Sequence, residues 1–144
     1  MKTIRLTHIP LLALTIAFVL HSCKKNSQPT YQASEFTGTW KLHQSIADAD
    51  NNGIIDSADT YHIEDSLNSI LTINANGSWS ETDIFTTTPV TGQWSLTDNN
   101  STITFTQTDS ASGNTLYITL VSNTSLTLLN TSVYPKIWTV FSKQ

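Results

Sequence analysis

The chain has 144 residues, a formal net charge of −4 and only 12% charged side chains. That length suits one domain with a single core, and the scarcity of Gly (5) and Pro (4) excludes a disordered linker protein. Beyond position 5 there are five Lys and no Arg against eleven acids, so the chain cannot form the basic stripe that nucleic acid requires, and that partner is excluded.

Residues 1–22 read as a removable export signal. Lys2 and Arg5 make a charged start, and 9–20 is an apolar run, shorter than the ~20 residues a membrane helix needs. Leu20-His21-Ser22-Cys23 resembles the bacterial lipobox, with a Leu three before the Cys and a small residue just before it. The resemblance implies that Cys23 becomes the lipid-modified first residue of the mature protein, held in the membrane by several acyl chains. With Lys24 rather than Asp after the Cys, it further implies an outer-membrane address, on the periplasmic or the cell-surface face. Cys23 is the only cysteine, so no intrachain disulfide forms and stability must come from packing. Residues 23–34, polar with Pro29, read as a lipidated flexible tether.

From residue 35 the sequence is rich in Thr, Ile, Val, Trp, Tyr and Phe, cut by Asn, Asp, Gly and Ser. It predicts eight strands, at about 36–44, 67–75, 78–86, 90–97, 101–108, 115–121, 125–131 and 136–142. A long polar stretch, 46–66, follows the first, and 57–68 carries a short helical signal. Asn76-Gly77 signals a two-residue hairpin. Alternation puts Val90, Gly92, Trp94 and Leu96 on one face of the fourth strand, Ile103 and Phe105 on one face of the fifth, and Leu116, Ile118 and Leu120 on one face of the sixth. Each strand has one apolar face, so the sheet must close on itself or pair with a second sheet. The expected fold is all-β: an eight-stranded antiparallel up-and-down barrel over 35–144, whose closure removes the aggregation-prone edges. A β-sandwich is the alternative.

Thr37-Gly38-Thr39-Trp40-Lys41-Leu42 recurs as Thr91-Gly92-Gln93-Trp94-Ser95-Leu96. Gly lets backbone pass beneath a large ring, and the Trp two residues on shares its strand face, where it can plug one end of a barrel. Gly38-x-Trp40 at the head of the first strand resembles the signature of lipocalins. The order of Gly38-x-Trp40, the Leu71–Trp79 hairpin, Gly92-x-Trp94-Ser95-Leu96 and the terminal Ile137–Lys143 strand resembles the lipocalin-like domain of small Gram-negative lipoproteins. The resemblance covers about 36–144 and implies a monomeric barrel that binds a small apolar or amphipathic molecule. Its candidate interior contacts are Trp40, Trp79, Trp94, Phe105, Leu116 and Ile118. Lipocalins keep an Arg over the signature Trp; here the nearby basic residue is Lys143.

Residues 48–59, DADNNGIIDSAD, resemble the twelve-residue calcium loop of EF-hand and dockerin repeats. Calcium takes six to eight oxygens. The resemblance implies side-chain ligands from Asp48, Asp50 and Asn52, the carbonyl of Ile54, Asp56 directly or through water, and Asp59 closing the set. Gly53 would allow the sharp turn, and Ile55 would point into the core. In lipocalins the corresponding connection folds over the barrel mouth, so a calcium-braced lid is expected.

Little else carries chemistry. His43 and His62 flank the acidic loop without a third ligand at zinc spacing. Glu81 and Asp83 share a strand face, as an exposed polar face would also have it. No nucleophile–base arrangement, phosphate loop or cofactor motif is present, so an enzyme is not expected. Asp65-Ser66-Leu67 and Asp109-Ser110-Ala111 resemble the O-glycosylation triplet of some anaerobic Gram-negative bacteria. Two functions remain: a ligand-binding barrel, or a barrel filled solid by side chains that presents loops to a protein or glycan partner.

Overall fold

The computed structural model describes residues 29–85, 88–110 and 113–144. The lipobox, Cys23 and the first half of the tether, 23–28, lie outside these residues. A short helix, α1 (Ala33–Phe36), leads into nine strands: β1 (Gly38–Ala47), β2 (Thr60–Ile63), β3 (Ile70–Ile73), β4 (Ser78–Thr82), β5 (Val90–Thr97), β6 (Thr102–Gln107), β7 (Gly113–Val121), β8 (Ser125–Asn130) and β9 (Ile137–Lys143).

All pairings are antiparallel, and β1 pairs with β9 from Trp40↔Lys143 to Ala47↔Ile137, so β1 and β3–β9 close into an eight-stranded barrel. Closure rules out the sandwich. The ninth strand, β2, pairs only with the far half of β1, from Gln44↔Ile63 to Ala47↔Thr60. It was hidden in the polar stretch because all four of its residues are exposed, so no in–out alternation marks it. The helical signal there condenses to one 3₁₀ turn, Asp65–Leu67. The first hairpin is also longer than expected: residues 74–77 all lie between β3 and β4, with Asn74 and Ser78 closing the loop through an N–H···O bond of 2.9 Å.

Alternation sets the two faces. Inside, Trp40, Leu71, Ile73, Trp79, Trp94, Ile103, Ile118, Leu126, Leu128 and Phe141 form one buried cluster with Phe36. Outside, threonines face one another across strands: Thr97–Thr102 at 2.7 Å, Thr104–Thr115 at 2.9 Å and Thr91–Thr108 at 3.3 Å. β-Branched residues that exchange hydroxyl bonds across a ladder stabilise it without adding an apolar surface.

One predicted face is wrong at its end. The β7–β8 register shifts between Ile118 and Leu120, so Thr119 is an extra residue and the alternation inverts. Leu120 turns outward, 47% exposed, and Val121 packs against the core in its place. A similar shift in β1 falls between Leu42 and Gln44. Beyond it Ile46 sits opposite Trp138 of β9, both buried but outside the main cluster.

The barrel has a sealed end and an open end. The sealed end gathers the turns 74–77, 98–101 and 122–124 with α1. Phe36 and Trp40 are fully buried there; the Trp40 indole Nε1 donates to Phe36 O at 2.7 Å, and Phe36 packs 6.2 Å from Trp94. Tyr31 closes the outer side, edge-on to Phe36 at 6.0 Å and tied to Asn100 by two hydrogen bonds. Burial of its ring, then the nearby Glu35 carboxylate, raises the Tyr31 phenol above its ordinary pKa.

Candidate functional site

Among the described residues the open end is framed by 48–69, 83–85, 88–89, 108–110 and 131–136. Between them a cup of about 600 Å³ runs into the barrel. Its apolar wall includes Leu71, Trp79, Phe105, Leu116, Leu128 and Phe141; Glu81, Gln107, Asn114 and Thr139 line it as well. The barrel is therefore not filled solid along its length. A volume of this order is typical of small-molecule sites.

Local sequence explains the shape. Trp79 sits opposite Gly92, and its ring meets Phe105 edge-on at 5.4 Å. Gly92 leaves the space beneath: a Cβ there would stand 2.7 Å from the indole nitrogen. Trp79 Nε1 donates to Thr106 O at 3.3 Å, which fixes the ring as part of the cup wall. Of the six anticipated contacts, Trp79, Phe105 and Leu116 line the cup. Trp40 and Ile118 pack in the cluster below it. Trp94, its Nε1 bonded to Asn74 O at 2.9 Å, borders a smaller recess at the sealed end beside Ala33 and Asn100. At the rim, Ile84, Phe85, Val133 and Tyr134 are exposed.

On the sequence reading Glu81 shares an exposed polar strand face with Asp83. It instead faces the cup, flanked in register by Leu71 and Val90, with Ser69 Oγ donating to its Oε1 at 3.0 Å. Strand parity with Trp79 was the signal for it.

The acidic loop forms a second constellation. Carboxylate oxygens of Asp48, Asp50 and Asp59 lie within 4.8 Å of one another and could hold a divalent cation. Asp48 is fully buried; its two oxygens accept the N–H groups of Asn52 and Gly53 at 3.0 and 2.9 Å. Asp59 accepts from Ala49 and Asp56 N–H, clamping the loop's two ends together. Gly53 has φ +80°, the left-handed geometry its position in the loop requires. Asn52 Nδ2 bridges Asp50 and Asp56 at 2.9 and 3.1 Å, and Ile54 N–H donates to Asn52 Oδ1.

Two expectations about this loop fail. Ile55 is 43% exposed, because the lone loop has no partner loop or helix to receive it. None of 48–59 lines the cup. The loop is tied instead to the β8–β9 connection, through Asp48 N–H to Lys136 O at 2.9 Å and Lys136 Nζ to Asn51 O at 3.1 Å. It braces the side of the opening rather than covering it. His43 pairs with Asp65 at 3.0 Å, and His62 is exposed on β2.

No family profile matches the chain, and a search of curated proteins finds no match. Among solved structures the fold is similar to a lipocalin-like protein from Bacteroides uniformis ATCC 8492, with 20% identity over 76% of this chain and 99% of that one, and a TM-score of 0.56. The likeness is one of fold, and it agrees with the closed eight-stranded barrel.

Proposed function

We propose that this lipocalin-like barrel is a non-enzymatic binding protein that holds a small apolar or amphipathic molecule in its open cup. The observation that carries the reading is the cavity of about 600 Å³ walled by Trp79, Phe105, Leu116 and Phe141. Exposed Phe85 and Tyr134 at the rim give an apolar approach to it. Native mass spectrometry of the protein from its own host tests this: a co-purifying small molecule, lost when the cup is filled by mutation, supports it. Failure of any apolar probe to change tryptophan emission would overturn it.

Two further elements belong to the proposal. The protein is carried as an outer-membrane lipoprotein on Cys23; the lipobox-like Leu20-His21-Ser22-Cys23 supports this. Metabolic labelling with an acyl probe, abolished by Cys23→Ala, is the check. The 48–59 loop takes calcium, supported by the ligand spacing, the all-oxygen donor set and the convergence of Asp48, Asp50 and Asp59. The ion would neutralise three carboxylates and stiffen the brace beside the cup. Calorimetry with no calcium heat and no calcium-dependent rise in Tm would remove it.

A further inference from the structure

We infer that the cup selects an apolar molecule bearing an amine or other cationic head, with Glu81 as its counter-charge; this rests on the reading of the cup as a ligand site. Glu81 is the only charged residue among the described residues lining the cup. Its neighbours across the sheet are apolar, Leu71 on one side and Val90 on the other, so the carboxylate is held over an apolar wall. Ser69 Oγ, itself buried, fixes Oε1 at 3.0 Å. Among the described residues Glu81 forms no ion pair with a basic side chain; its side-chain partner is Ser69.

Selectivity follows from sign. A carboxylate or phosphate head entering the cup would meet a like charge at Glu81. An ammonium would gain a charge-assisted hydrogen bond. Trp79, two residues before Glu81 on the same face, and Phe105 beside it add aromatic rings that attract a cation and repel an anion. The acidic excess of the chain biases approach the same way.

Octylamine, octanol and octanoate share one tail and differ in head charge at pH 7. Their binding to the wild-type protein and to Glu81→Gln, which keeps an acceptor for Ser69, is measured by calorimetry and tryptophan emission. The expected result is octylamine at least roughly tenfold tighter than octanoate, about the value of one charge-assisted hydrogen bond, with octanol between. In Glu81→Gln the amine loses that advantage and octanol is unchanged. Octanoate binding as well as octylamine, or an amine preference that survives Glu81→Gln, would overturn the inference and leave the cup intact as a site. Binding of none of the three would overturn the cup reading itself, and the inference with it.

Discussion

Thr106 O receives the Trp79 indole N–H at 3.3 Å, and a Cβ on Gly92 would fall 1.9 Å from that same oxygen. One carbonyl thus sets both the orientation of a cup-wall ring and the identity of the residue beneath it. Gly92→Ala drives a methyl into backbone, which cannot yield as a flexible side chain does. We expect a loss of about 3 kcal/mol or more in urea unfolding, together with a red shift of tryptophan emission. Gly113→Ala, whose closest contacts are the Thr104 and Thr106 side chains at 3.0 Å, should cost clearly less.

The Lys143 ammonium stands 4.8 Å from the centre of the Trp40 ring and donates to Thr37 O at 3.1 Å. It is the nearby basic residue noted in the sequence, and it covers the Trp of Gly38-x-Trp40. Lys143→Ala should cost about 1–2 kcal/mol through the lost cation–π and charge-assisted contacts. Lys143→Arg should restore most of it. Chemical denaturation of the three proteins measures this.

Filling the cup separates ligand binding from folding. Leu116 lines the cavity and is only partly buried, so Leu116→Trp can extend into open volume. The variant should keep its Tm within a few degrees and lose probe binding by at least tenfold. A collapsed Tm would mean the added ring had overpacked the wall instead.

The two ends of the acidic cluster should behave differently. Asp48 is buried and receives two backbone N–H groups, so Asp48→Ala orphans donors and lowers stability by about 1–3 kcal/mol even in chelator. Asp50 is exposed, and its bonds are to Asn52 of the same turn. Asp50→Ala should leave the chelated Tm nearly unchanged and remove only the rise produced by calcium. Differential scanning calorimetry with and without the ion distinguishes the pair.

Alkaline pH should loosen the sealed end. The Tyr31 phenol has its pKa raised above 10.0, chiefly by burial and then by Glu35. The folded state therefore keeps the proton that the unfolded chain gives up, so the Tyr31 contribution is intact below pH 10 and is lost as the pH climbs from there towards the raised value. Tyr31→Phe should flatten that part of the stability profile.

The barrel was legible because strands buried on one face write their register into alternation; Val90 to Leu96 and Ile103 to Phe105 read directly as wall. What escaped had a local physical cause. The extra Thr119 inverts the rhythm after Ile118, and a bulge leaves no mark in composition. Thr60–Ile63 is a strand for its hydrogen bonds to β1 alone, with no side chain buried to announce it. In the cup, Glu81 looked like surface because its neighbours along the chain are polar; only the strands on either side reveal that its setting is apolar. The acidic loop's convergence followed from spacing, but its docking on Lys136 depends on a residue far away in sequence.

Chain direction gives the barrel a stem. Residues 31–37 lie under its floor, where Lys143 reaches Thr37 O and Gln144 N–H reaches Thr39 O, so both visible ends of the polypeptide emerge on the side away from the mouth. If the chain is anchored on Cys23 as proposed, the attachment would enter at the sealed end. Under that arrangement the cup, at the opposite end, would stay free to fill and empty.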